Sequence, residues 1–170
     1  MKLEVKRLNR ILGNLYSEMR EMTDADRELP MKWSVMHMYS SSQLAVLVAL
    51  KKGLDPELLG IIAALHDIGA IKTKKRENHA ANASEYVYEI VNNYNTLWRG
   101  KLEEITTSEL NVIHEAVISH SDKETISQNE YVEAMKDIDS LDRYLHGVNT
   151  KGAHLRRLND ITDFLNIVIE

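Results

Sequence analysis

The amino-acid sequence predicts an all-α fold, a single-domain bundle of about six to eight helices. Apolar residues recur at three- and four-residue intervals along most of the chain. Seven Gly and two Pro in 170 residues leave few of the tight turns that a sandwich or barrel requires. Leu, Glu, Ala and Lys, all good helix formers, dominate the stretches between.

Residues 2–22 place Leu3, Leu8, Leu12, Leu15 and Met19 near helical spacing among charged residues, ended by a polar stretch and Pro30. A second helix is expected from about 31–34 to Lys52, with Gly53 as its stop. Asp55 as N-cap and Pro56 at the first helical position open a third. It is apolar at Leu58, Leu59, Ile61, Ile62 and Leu65 and should end around 66–69. A basic loop over 72–76 leads to a helix over 78–94, followed by a loop over 96–107. Ser108 is expected to cap the next helix, which runs to about His120. Another covers about 129–145 and is stopped by Gly147. The last, about 154–168, has Leu155, Leu158, Ile161, Phe164, Leu165 and Val168 on one face. No repeat or interdomain linker interrupts the chain, so one domain over 1–170 is expected.

Several function classes fall away on composition. A net charge of −5 argues against binding long nucleic acid by bulk charge. The absence of Cys removes disulfides, thiolate nucleophiles and thiolate-ligated metal clusters. The longest apolar runs, 44–50 and 58–65, fall far short of the roughly 20 residues that span a bilayer. The opening MKLEVKRLNRILGNL breaks its apolar positions with charges and has no signal-peptide core, so a cytoplasmic protein without membrane contact is expected.

The chemistry concentrates in His and Asp. His66-Asp67 closes an apolar helix and is followed at once by Ile68 and Gly69. Neighbouring side chains on a regular helix diverge by about 100°, so the pair can reach one ion only where the helix is ending. Gly69 is expected to supply a left-handed conformation there. His37, His79, His120 and Asp139 each fall on a different predicted helix. Ligands from several helices are how a bundle builds a metal site in its core. Imidazole and carboxylate together suit one or two divalent ions of Mn, Fe, Co, Ni or Zn, with Mg also admitted.

The order His37, His66-Asp67, Asp139 resembles the HD superfamily of metal-dependent phosphohydrolases, HDIG type. LHDIG at 65–69 is the superfamily's common central motif, DIDSLD at 137–142 resembles its DADxLD segment, and HSDKE at 120–124 resembles an H-S-x-K-E helix ending. The resemblance covers about 31–146, leaving the first and last helices as flanks that could dock on the core or pair with another chain. It implies that His37, His66, Asp67 and Asp139 hold a divalent metal. It also implies that His79 and His120 hold a second ion bridged by Asp67, or contact substrate, one of them protonating the leaving oxygen. Asp67 would also orient the nucleophile. The implied reaction is hydrolysis of a phosphate ester or anhydride by a metal-activated water, on a nucleotide or another small phosphorylated compound. The chain lacks the Gly-Tyr-Pro segment of the cyclic-di-GMP-degrading subfamily. A catalytically silent binding module and a metal-dependent lyase or di-iron oxygenase are the alternatives on the same scaffold.

The cations Lys72, Lys74, Lys75 and Arg76 follow the central motif directly, and Lys123 follows His120 by three residues. Lys74, Lys75, Arg76 and Lys123 are therefore candidates for holding substrate phosphate. His114, six residues before His120, faces away from it on a helix and is expected to be structural, as are His146 and His154. Asp142 and Arg143 either contact the ligands from behind or form an exposed pair.

Overall fold

The computed structural model describes residues 3–169. The described residues form nine helical segments and no strand, and seven of the segments have ten residues or more. In chain order they are α1 (Lys6–Met19), α2 (Met31–Lys52), α3 (Pro56–Leu65), α4 (Ile68–Thr73) and α5 (His79–Asn82). There follow α6 (Ser84–Leu97), α7 (Thr107–Ser119), α8 (Glu130–Leu145) and α9 (Ala153–Leu165).

The architecture is organised around α3. Asp55 caps it, its Oδ1 accepting the N–H groups of Glu57 at 2.8 Å and Leu58 at 2.9 Å, with Pro56 in the first turn. Every residue from Leu58 to Leu65 is buried. A helix apolar on all sides belongs inside the protein, and α3 is accordingly touched by α1, α2, α7 and α8. The central helix therefore ends within the bundle, where His66-Asp67 follows. Its apolar residues share one continuous cluster with Leu8, Ile11, Leu15, Val48, Val87, Ile113, Ile138 and Leu158.

Several boundaries differ from the expectation. Leu3 lies before α1 and is exposed, while Ile11 joins the core face. The basic loop is shorter than expected, because the chain re-enters a helix, α4, directly after Asp67. The expected helix over 78–94 is two, broken at Ala83. The cap of α7 is Thr106 rather than Ser108. Thr106 Oγ1 accepts the N–H of Glu109 at 3.2 Å, and Glu109 Oε2 accepts the N–H of Thr106 at 2.8 Å. This is a reciprocal capping box, and its T-x-x-E spacing stands in the sequence. Asn166, at φ 59°, ends α9 early, so Val168 is off the helix and exposed, as is Leu155. Among the described residues, no helix is long and apolar enough to cross a membrane.

Gly69 is also corrected. It does not take a positive φ but lies inside α4, and its role is close approach. A Cβ there would sit 1.9 Å from the carbonyl oxygen of His79 and 2.8 Å from the amide nitrogen of Ala83, both backbone atoms. Gly69 thus lets α4 lie against α5 and seats His79. Gly69→Ala should force the two helices apart and lower stability by about 1–3 kcal/mol. Gly13→Ala, in α1 with nothing near its Cβ, should instead raise stability by about 0.5–1 kcal/mol. Thermal unfolding of both variants checks this, and an unchanged Tm for Gly69→Ala contradicts it.

Candidate metal centre

Six side chains from five separate places meet at the end of α3. His37 comes from the N-terminal half of α2, His79 opens α5, His120 follows α7, and Asp139 lies on α8. His66 and Asp67 occupy the break between α3 and α4, where Asp67 has φ −98° and ψ 11°. That departure from regular helix lets two adjacent residues aim at one place.

The side chains form two groups. In the first, His37 Nε2 lies 3.0 Å from His66 Nε2 and 3.2 Å from Asp139 Oδ1. In the second, His79 Nε2 lies 3.0 Å from His120 Nε2. Asp67 stands between them. Its Oδ2 faces the first group, 3.6 Å from His37 and 3.7 Å from His66. Its Oδ1 faces the second, 3.2 Å from His79 and 3.6 Å from His120.

The hydrogen bonds behind the rings fix what they present. His66 Nδ1 lies 2.7 Å from the carbonyl of Ala63, His79 Nδ1 2.8 Å from that of Arg76, and His120 Nδ1 2.6 Å from that of Val117. Each acceptor is three residues upstream. A carbonyl only accepts, so Nδ1 carries the proton and Nε2 presents a lone pair. His37 Nδ1 donates instead to Asp142 Oδ2 at 2.5 Å. Two imidazole lone pairs 3.0 Å apart repel unless a proton or cation shares them. The donor set therefore fits metal ions. His37, His66 and Asp139 could hold one, and so could His66, Asp67 and His120.

The charges agree with that chemistry. Burial alone would raise the carboxyl of Asp139, yet the Lys123 ammonium and the His37 ring hold it well below the usual range. Asp67 is likewise held well below, its burial outweighed by the rings of His66, His120, His79 and His37. Burial pushes His66 down to about 4. His37 is opposed by burial but raised to about 10 by Asp139 and Asp142. In the absence of an ion, a proton on His37 thus does the work of a cation between the rings.

The candidate phosphate-binding cations separate. Arg76, Lys123, Arg143 and His154 line a cleft of about 80 Å³ alongside Asp67, His79 and Asp139. Lys123 is buried, donating to Asp139 Oδ2 at 2.7 Å and to the carbonyl of His120 at 2.6 Å, so it aims a carboxylate. Lys74 and Lys75 do not reach the cleft. Lys74 takes φ 66° at the end of α4 and turns the chain back towards residues 25–28. There Lys74 Nζ donates to the carbonyl of Ala25 at 3.2 Å and Lys75 pairs with Glu28 at 3.6 Å. Lys72 pairs with Glu18 on α1.

His114 points elsewhere, bonding Ser84 Oγ at 2.8 Å. His146 supports Asp142, with its Nδ1 2.9 Å from the Asp142 carbonyl. His154, expected to be structural only, bonds Ser140 at 3.0 Å and also lines the cleft. Nothing in its sequence context marks that position. Arg143 does carry a signal, since it follows Asp139 by four residues and shares its helix face.

These shifts set the pH dependence of the metal-free protein. His37, raised above its ordinary 6.5, contributes stability that is complete below about pH 6.5 and lost as pH rises through about 10. His66, depressed to about 4, contributes stability present above about 6.5 and lost as pH falls towards 4. Asp137, raised by burial to about 6, offsets the gain from His66 between about pH 4 and 6, so the metal-free Tm should fall chiefly as pH rises above about 6.5. Ion binding at pH 7 should release a proton, measurable by calorimetry in buffers of different ionisation enthalpy. A flat Tm profile with no proton release contradicts this.

A family model described as the HD domain matches residues 35–144, about two thirds of the chain and the whole His and Asp set. No curated protein and no solved structure matches it. The chain belongs to the HD domain family, consistent with the superfamily of metal-dependent phosphohydrolases that its motif order resembles.

Proposed function

We propose that this protein is a metal-dependent phosphohydrolase acting on a phosphate ester or anhydride of a nucleotide or another small phosphorylated compound. The observation that carries the reading is Asp67, whose two oxygens face two separate groups of imidazoles. His37, His66, Asp139 and Asp67 Oδ2 would hold one divalent ion. His79, His120 and Asp67 Oδ1 would hold the other. When bound, the ions would supply an activated water nucleophile and neutralise charge on the phosphoryl oxygens.

The remaining residues prepare that chemistry. The four Nδ1 hydrogen bonds keep the rings in the ligating tautomer and orientation. Lys123 keeps Asp139 ionised and aimed. Arg76 and Arg143 on the cleft would offer planar donors to the non-bridging oxygens of a phosphoryl group. The small cleft supports a substrate that inserts a phosphoryl group and leaves its remainder outside. The overall negative charge supports a small substrate over a long polyanion.

The test is hydrolysis of a panel of nucleotides, phosphomonoesters and phosphodiesters with Mn, Fe, Co, Ni, Zn and Mg in turn. Asp67→Asn should lower kcat by about 1,000-fold and reduce the bound metal. Arg143→Ala should raise KM by about tenfold or more, with a smaller change in kcat. Absence of turnover across the panel by metal-loaded protein contradicts the reading.

A further inference from the structure

The helix that carries His37 is apolar on both of its faces. Its inner residues, among them Met38, Ala45, Val48 and Ala49, are buried in the core. Its outer face is Lys32, Met36, Tyr39, Gln43, Leu47 and Leu50. Over residues 33–50 the sequence contains no Asp, Glu, Lys or Arg. A surface helix ordinarily places charge on the side away from the core, as α1 does with Arg10 and Glu18. By contrast, α2 leaves Leu47 62%, Leu50 45%, Met36 43% and Tyr39 37% exposed. Tyr16 of α1 widens the patch, its ring 6.2 Å from that of Tyr39.

The arrangement points to a second copy of this chain. The apolar positions are evenly spaced about Gln43: Tyr39 and Leu47 lie four residues to each side, Met36 and Leu50 seven. Two copies of α2 laid antiparallel across a two-fold axis at Gln43 would pair Met36 with Leu50 and Tyr39 with Leu47, each contact made twice. The two Gln43 amides would meet on the axis, where each can donate and accept. The area also suits. Taking about 200 Å² for a fully exposed large side chain, the five apolar residues present about 460 Å² per chain. Two such patches, at the usual apolar share of about 60%, correspond to an interface of about 1,500 Å² in total, the size of a stable complex.

We propose that the protein forms a homodimer through α2, antiparallel about Gln43. The proposal is independent of the metal chemistry. Sedimentation equilibrium of the full chain at up to about 100 μM should show a dimer. Leu47→Glu should weaken it by about 100-fold or more while leaving the helical content and Tm of the monomer intact. Leu155→Glu, on the exposed side of α9, should leave the dimer unchanged.

The lack of native Cys permits a direct test of register. Under mild oxidation, Gln43→Cys should link to itself. Leu47→Cys should not, because the two positions would lie about 12 Å apart along the axis, but mixed with Tyr39→Cys it should give a linked heterodimer. A monomeric wild type, a dimer that survives Leu47→Glu, or self-linking of Leu47→Cys overturns the proposal.

Discussion

The arrangement depends on where one carboxylate sits. Asp67 lies in a two-residue break between α3 and α4, and its two oxygens face opposite pairs of imidazoles. A continuous helix would turn His66 and Asp67 about 100° apart, and the two groups would lose their common member. Three features hold the break in place. The buried length of α3 fixes its end within the bundle, the Nδ1 bond of His66 returns to Ala63, and Gly69 admits the backbone of α5.

Each candidate site side chain is held by two kinds of force. Apolar packing sets the position of its helix, and a short polar bond behind the ring or carboxylate sets its aim. The i−3 carbonyl bonds recur at His66, His79 and His120, all at helix boundaries where that carbonyl is within reach. His37 is inside α2, where backbone carbonyls are already committed to the helix, and its Nδ1 partner is supplied from α8 by Asp142. Asp139 is aimed by Lys123 from the turn after α7. Candidate ligands from distant parts of the chain are thereby fixed without strands, disulfides or thiolates among the described residues.

Much of this could be read from the sequence because the signals were local. The Gly53 stop marks the end of α2, and the Asp55-Pro56 start with the run from Leu58 to Leu65 describes α3 almost to the residue. The six His and Asp candidates stand in an order that the superfamily shares, and the structure brings all six together. What escaped was set by neighbours in space. The close approach at Gly69 depends on α5, and the course of Lys74 and Lys75 depends on Glu28 and Ala25. His154 reaches the cleft because α9 folds back on α8. The capping box at Thr106 and Glu109 was visible in the sequence, with Ser108 as a competing cap.

The most direct measurement of the central claim is anomalous diffraction from crystals of the protein loaded with Mn or Fe. Two ions are expected, one against His37, His66 and Asp139 and one against His79 and His120, with one Asp67 oxygen towards each. A single ion, with His79 and His120 turned away from Asp67, would contradict it.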